Sequence, residues 1–547
     1  MITSSVVFIS HLLAILVLLA ASGSAGVSFS PEQSATPPSV TVAACAASHD
    51  PPSCEHALTN SGLLITENAS SLHVIHAVLN ITFRHLDTAE SMVGAILSGS
   101  SSNSNLTTAA RICAEVLRLS RYRLALTDHD GLRGRKIKDG RAWLSAALGY
   151  QYDSWSALKK VNDTATVVNT MALINDTIMG LTRTALSMLG NYDVHGDDVA
   201  SWGPIKTERD GYWDPVDGSG SDFDFQNGRV PKHLKPNVTV CKTGHGGGCD
   251  YATVQAAVYA APDMNAGQRF VIWIKAGIYK EKVRVSMKKL NVVFLGDGMG
   301  KTVITGSLNV GQPGMTTYQS ATVGVLGDGF MASNITFENT GVGSQAVAFR
   351  SDGDRTVVET CELRGNQDTL YAKSMRQYYK SCRIQGNIDF IFGNSAAFFQ
   401  DCDILIAPRP SEPEKGGINT ITAHGRIDPA QTSGFVFHNC SISGTDDYMK
   451  LYRKNSKVQQ SYLGRPWKEY SRTVFIGSYL DDIISEEGWY PWDGDFAIKT
   501  LYYGEFDNRG AGASTFGRVN WSRIVPTQHV HSYSVRNFIQ GHLWTYS

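Results

Sequence analysis

Residues 360–404 read TCELRGNQDTLYAKSMRQYYKSCRIQGNIDFIFGNSAAFFQDCDI. Three times in this stretch a polar residue precedes a cysteine, a charged residue and an aliphatic one: Thr360-Cys361-Glu362-Leu363, Ser381-Cys382-Arg383-Ile384 and Asp401-Cys402-Asp403-Ile404. The same alternation occurs at Asn334-Ile335-Thr336-Phe337 and at Asn439-Cys440-Ser441-Ile442. The aligned members Ile335, Cys361, Cys382, Cys402 and Cys440 are 26, 21, 20 and 38 residues apart, so a coil of roughly 20–26 residues recurs with one long excursion. Short Val/Ile/Phe-rich runs broken by Gly, Asn and Asp read as strands. Stacked as coils, they make an all-β, right-handed parallel β-helix, in which inward residues of successive turns form ladders about 5 Å apart. A leucine-rich horseshoe has a similar period, but its Leu-x-x-Leu-x-Leu pattern is missing. The cysteine column is read as core, with Cys402–Cys440 as one candidate bridge.

Upstream the texture is different. From about Cys45 to Leu189 the apolar spacing is helical, most clearly at Val167, Met171, Ile174, Ile178, Leu181, Ala185 and Met188, which fall on one helix face. Segments 71–97, 107–126 and 139–158 follow the same pattern, and four amphipathic helices with no strand between them predict an all-α four-helix bundle over 41–190. Residues 191–235 turn to Gly, Asp, Pro and Ser, with Gly218-Ser219-Gly220-Ser221 at the centre, and read as a linker to the β-helix of 236–547. A chain of 547 residues is long enough for two such domains.

The apolar run Leu12 to Ala21, followed by Gly23-Ser24-Ala25, predicts a signal peptide over 1–25, with an uncleaved signal anchor as the alternative because no Lys or Arg precedes the run, and a Ser/Pro-rich leader over 26–40. No later run approaches the ~20 apolar residues that span a bilayer, so no stable membrane association is expected. Asn-x-Ser/Thr sequons at Asn68, Asn80, Asn105, Asn162, Asn175, Asn237 and Asn520 agree with export to the extracellular space, while Asn334 and Asn439 fall in strand-like stretches. Nine cysteines in an exported chain predict disulfides, Cys45–Cys54 and Cys241–Cys249 being the short-loop candidates. With 49 basic against 50 acidic residues, nothing in the charge points to nucleic acid as a partner. No Cys-x-x-Cys pair or His cluster calls for a metal, and no cofactor is expected.

The chemistry is concentrated at Gln345, Gln367-Asp368 and Asp389, 22 residues apart. At the β-helix period these amides and carboxylates lie on three successive turns, about 10 Å end to end. Asp389 sits among Ile388, Phe390, Ile391 and Phe392, where an unpartnered carboxylate is costly to ionise. Two neighbouring carboxyls have their pKa values pushed apart, which provides a nucleophile and an acid at one pH, and two amides can hold an oxyanion. Arg465, in Tyr462-Leu463-Gly464-Arg465-Pro466-Trp467, is the candidate cation that keeps the nucleophile ionised.

Five segments carry a family resemblance: Gly277 to Glu281, Gln345 to Arg350, Gly365 to Leu370, Asp389 to Gly393 and Leu463 to Trp467. In this order they resemble the signature segments of plant pectin methylesterases. The resemblance implies a pectinesterase, a carboxylic ester hydrolase acting on methyl-esterified homogalacturonan (pectin) in the cell wall. In that reading Asp389 is the nucleophile, Asp368 the acid and then the base, Gln345 and Gln367 the oxyanion hole, and Arg465 the group that orients Asp389. It also implies that Thr317, Tyr371, Phe392, Trp467 and Trp489 line the substrate cleft beside Gln345 and Arg465. The helical region resembles the pectin methylesterase inhibitor domain that precedes the enzyme in many plant members, so inhibitor proteins, or this chain's own pro-region, are the implied protein partners. That domain normally has two disulfides. Here Cys45 and Cys54 supply the first, but the second has only Cys113, with Ser154 at the position where its partner is expected, and the linker lacks the Arg-Arg-Leu-Leu type processing signal. The Cys241–Cys249 loop and the excursion from Thr445 to Ser461 are further departures from the commonest pattern.

Two other readings compete. A β-helical glycosidase or lyase would use paired carboxylates, but the paired glutamines favour an ester carbonyl; Gly244-His245-Gly246 superficially resembles a polygalacturonase motif but precedes the repeats. A serine esterase is disfavoured because Gly-x-Ser-x-Gly is absent. A secreted inhibitor acting only through its bundle leaves the constellation Asp368, Asp389, Gln345, Gln367 and Arg465 unexplained.

Overall fold

The computed structural model describes residues 39–216 and 229–545, apart from 64, 67, 68, 101, 102, 162 and 163 and the side chain of His245. The signal peptide, most of the leader, the linker centre and the sequons Asn68 and Asn162 lie outside the described residues.

Two short helices, α1 (Val40–Cys45) and α2 (Pro51–Thr59), are joined by the Cys45–Cys54 disulfide and precede the bundle. The bundle consists of α3 (Ser71–Gly99), α4 (Ser104–Leu126), α5 (Ile137–Lys159) and a last helix built from α6 (Ala165–Ala172), a π-helical turn (Leu173–Ile178) and α7 (Met179–His195). Ser70, Asn103 and Thr164 cap the starts of α3, α4 and α6 by accepting from the third backbone N–H, as short polar side chains do at exposed helix ends. The apolar stripe faces the bundle core, with Val167, Ile174, Ile178, Ala185 and Met188 fully buried. Met171 is half-buried, just before the π turn resets the phase.

Cys113 Sγ lies 2.5 Å from Ser154 Oγ in this core, and burial pushes the thiol up to about 12 against the opposing effect of the Ser154 hydrogen bond. The two side chains already point at each other across 41 residues. Ser154→Cys is therefore expected to close a bridge and add up to about 4 kcal/mol of stability on loop-closure arguments. The check is the melting temperature with and without reductant, which should fall further for the variant than for the parent.

Residues 196–216 form a strap rather than a free tether. Trp202 is buried against the bundle, Glu208 is paired with Arg472, and Trp213 stacks on His529 at 4.5 Å. From Val238 onward the chain coils into three all-parallel sheets of eleven, seven and eight strands among the described residues. This is the right-handed parallel β-helix predicted from the period. Its interior is laddered: Phe337, Leu363, Ile384, Ile404, Ile442 and Leu480 are register partners along one sheet, and Tyr379, Phe399, Phe437 and Phe475 stack at 4.8, 4.5 and 4.5 Å.

The repeated polar residue has a backbone reason. Asn334, Thr360, Ser381, Asp401 and Asn439 have φ of 61, 47, 51, 54 and 50°, so each opens its segment by turning a left-handed corner between two sheets. Asn334 and Asn439 are therefore exposed corner residues rather than strand residues. The cysteines that follow are core, but Cys402 and Cys440 are not bridged. Both are free and buried, and their thiols donate to the carbonyls of Gln400 and His438. Partners on parallel neighbours sit about 4.8 Å apart with parallel side chains, whereas a disulfide needs Cβ atoms about 3.8 Å apart. Cys241–Cys249 is bonded.

Candidate active site

The outer face of the seven-stranded sheet carries the site. Strands Phe349–Ser351, Leu370–Ala372, Ile388–Gly393 and Gly417–His424 lie side by side there, with Gln459–Gly464 at the edge. Phe349, Leu370 and Ile391 point into the core, so the alternate residues Arg350, Tyr371 and Phe392 point out as a second register row.

The register also corrects the ladder. Phe349, Leu370 and Ile391 step by 21 residues, not 22. It is Asp368 and Asp389 that share a phase, while Gln367 lies one residue and Gln345 two residues ahead of it. The predicted rungs thus form a diagonal, and they still line one cavity of about 790 Å³ with both carboxylates.

Both aspartates are held in left-handed backbone, φ 63° at Asp368 and 48° at Asp389. At Asp389 the cause is a bulge: Ile388 pairs with Thr420 but Ile391 with Thr422, so three steps on one strand match two on the other. The bulge lets Phe390 and Ile391 both enter the core while Asp389 faces the cavity. Non-glycine residues in this region of the map are strained by about 1–3 kcal/mol each and cluster at functional sites.

The two carboxyls differ in surroundings. Asp389, 5% exposed, is gripped by Arg465, whose Nε donates to Oδ1 at 2.8 Å and Nη2 to Oδ2 at 2.6 Å. Thr420 Oγ1 donates to Oδ1 at 2.6 Å and accepts from the Asp389 amide at 3.0 Å. Such a bidentate, charge-assisted clamp fixes the plane of the carboxylate. Burial opposes the charge on Arg465, yet its bonds to Asp389 raise its pKa further. Asp368, 7% exposed, is held well above the usual value near 3.8, first by burial and then by the charge of Asp389, against the opposing pull of Arg465. An arginine-paired aspartate and an aspartate whose pKa is raised thus face the same cavity.

Gln345 and Gln367 are half-buried on its wall, as is Thr317 at the start of the short helix Thr317–Ser320. Tyr371 stacks on Phe392 at 4.2 Å and Trp467 meets Phe392 edge-on at 6.0 Å, giving the cavity an aromatic floor. Trp489 is not part of it. It is 1% exposed, stacked on Tyr503 at 4.2 Å and packed against Phe475 inside the β-helix. The cleft tryptophan is Trp492, three residues on, which lines the cavity and lies 4.5 Å below the Arg465 guanidinium. Thr420 and Trp492 were missed from sequence. Thr420 lies in the long excursion between Cys402 and Cys440, where the repeat carries no phase, and the Trp489/Trp492 pair carried the only signal for a second tryptophan.

The remaining wall is supplied by the bundle. The start of α4 (Asn105, Thr108, Ile112), the end of α5 (Tyr152, Asp153) and Lys160 just after it line the same cavity as the aspartates. Bundle and β-helix cluster as one compact unit, Ser39–Ser547. Arg123 clamps Asp328 through two bonds of 2.7 Å, Asp139 pairs with Arg376 at 2.7 Å, and Trp143 donates to Asp354 at 3.1 Å.

A parallel β-helix presenting an arginine-clamped aspartate, a second aspartate with a raised pKa and two glutamines in one aromatic-floored cleft fits a carboxylic ester hydrolase built on a solenoid. Comparison with known proteins identifies the family. The pectinesterase family model matches residues 237–542, and the plant invertase/pectin methylesterase inhibitor model matches residues 39–188. Probable pectinesterase/pectinesterase inhibitor 64 of Arabidopsis thaliana is 54% identical over 507 residues, 92% of this chain and 83% of that protein. Pectinesterase/pectinesterase inhibitor 18 of the same plant is 36% identical over 91% and 87% of the two chains. The solved pectin methylesterase from carrot is 44% identical with a TM-score of 0.54, covering 58% of this chain and 96% of its own. The chain belongs to the pectinesterase family, with an inhibitor-type domain ahead of the ester hydrolase.

Proposed function

We propose that this chain hydrolyses the methyl esters of homogalacturonan to pectate and methanol, and does so in the cell wall after secretion. The observation that carries the mechanism is the asymmetry of the two aspartates. Asp389, paired with Arg465 and hydrogen-bonded by Thr420, attacks the ester carbonyl carbon. The tetrahedral oxyanion is held by the Gln345 and Gln367 amides. As the C–O bond to methoxide breaks, Asp368 gives up its proton and methanol leaves. Asp368, now ionised, takes a proton from water, whose oxygen attacks the acyl–Asp389 anhydride; collapse frees the product carboxyl and restores both groups. Tyr371, Phe392, Trp467 and Trp492 offer ring faces to the sugars.

Methylated pectin should release methanol with no new reducing ends and no unsaturated product. Chain scission would instead support the glycosidase or lyase reading. Gln367→Ala is expected to lower kcat by about 10²–10³-fold with little change in KM, the usual effect of losing one oxyanion donor.

In the same reading residues 41–190 are an inhibitor-like pro-region, 191–235 the linker and 236–547 the enzyme. No helix among the described residues is long and apolar enough to cross a membrane. The bundle wall over the cavity supports inhibition in cis. Removing one partner of a buried charge pair costs about 2–5 kcal/mol of docking, so Arg123→Ala is expected to raise methanol release by the full chain about tenfold or more. Unchanged activity with the pro-region still attached would remove the basis for cis inhibition.

A further inference from the structure

Lys373 follows the strand Leu370–Ala372, is only 4% exposed, and lines the cavity that holds Asp368 and Asp389. Its ammonium lies 5.8 Å from the ring centre of Tyr371 and 5.4 Å from that of Tyr150. The carboxylate it meets comes from the bundle: Nζ lies 2.5 Å from Oδ2 of Asp153 on α5. The nearby Asp352 is engaged by Arg350 at 2.8 Å. A second cation of the same wall, Lys468, donates to the hydroxyl of Tyr152 at 2.7 Å and lies over that ring. Neighbouring residues of α5 thus bring a carboxylate and a phenol to two lysines of the cleft.

A lysine buried against aromatic rings is costly to leave without a counter-charge. Whatever takes the place of α5 in the cleft has to present an anion to Lys373. We infer that Lys373 is the binding site for a free carboxylate on the sugar chain, beside the ester being cleaved, and that Asp153 occupies this site as a stand-in while the bundle is docked. This rests on the pectinesterase reading, in which each sugar of the polymer carries either a neutral methyl ester or an anionic carboxylate. Lys373 tells the two apart, because a methyl ester brings no charge to pair with it.

The test uses the full chain in an Asp389→Asn background, so that no ester is consumed, with two calorimetric probes: de-esterified hexagalacturonate and its fully methyl-esterified counterpart. Adding Asp153→Asn should tighten binding of the de-esterified hexamer about tenfold or more. Adding Lys373→Met as well should cancel that gain while changing binding of the esterified hexamer less than twofold. Equal gains for both hexamers, a gain that survives Lys373→Met, or no gain at all would overturn the inference. Methanol release by the chain carrying Asp153→Asn together with Arg123→Ala, which loosens the docked bundle, separates the outcomes. With methanol produced and no discrimination between hexamers, only the Lys373 site falls; with no methanol, the pectinesterase reading falls.

Discussion

Asp389→Asn is expected to reduce methanol release from methylated pectin by about 10⁴-fold or more, the scale seen when a covalent nucleophile is removed. Asparagine keeps the volume of the side chain and an acceptor oxygen for Thr420 and Arg465, which hold Asp389 at 2.6–2.8 Å. What it loses is the negative charge that attacks the carbonyl and neutralises the guanidinium. Weakening that buried pair should cost about 1–3 kcal/mol of stability, well short of unfolding a solenoid with this core. Far- and near-UV circular dichroism would report the intact fold. Methanol release near the parent rate by a correctly folded variant would refute the assigned nucleophile.

Asp368→Asn has the second largest expected effect, a loss of about 10²–10⁴-fold, because the leaving methoxide then departs without a proton. It also carries a signature that a merely structural residue would lack. The folded-state pKa of Asp368 is raised by burial and by Asp389, whereas in the unfolded chain the group ionises near 3.8. Between those values the native state holds a proton that the unfolded state has released, so stability falls as pH rises through the window. Above the raised value both states are ionised and the penalty is constant. The variant has no such proton, and its stability relative to the parent should increase with pH above about 3.8. Denaturant unfolding across pH measures this, and parallel curves for parent and variant would exclude a protonated Asp368. Single-turnover methanol release by the parent should fall on the alkaline side of the same window, and that limb should be missing from the variant's residual rate.

Much of this site was legible in the residues because a solenoid converts sequence period into spatial neighbourhood. The polar residue that opens each repeat marks a left-handed corner, and the cysteine and aliphatic positions after it mark the inward ladder. That alone brings Gln345, Gln367, Asp368 and Asp389 onto adjacent coils. The exact phase was not legible. A bulge at Asp389 and a step of 21 residues shift which side chains are level, and neither leaves a mark in composition. The Cys402–Cys440 bridge failed for a related reason, since being level on adjacent coils is a register relation and a disulfide also needs the two side chains to turn toward each other.

Composition and spacing were therefore enough for the two architectures and for grouping Gln345, Gln367, Asp368 and Asp389 on adjacent coils, because these depend on local propensity and on a repeat written along the chain. Three features depended on tertiary packing. Thr420 reaches Asp389 from a strand in an excursion with no periodic signal. Trp492 rather than Trp489 faces the cleft, because Tyr503 and Phe475 draw Trp489 into the core. The bundle lines part of the cavity that holds the aspartates and sets Asp153 against Lys373, a pairing of residues more than two hundred positions apart that belong to different folds. Repeats encode contacts between neighbouring coils; contacts between a helix bundle and a β-helix have no period, and only the folded chain brings them together.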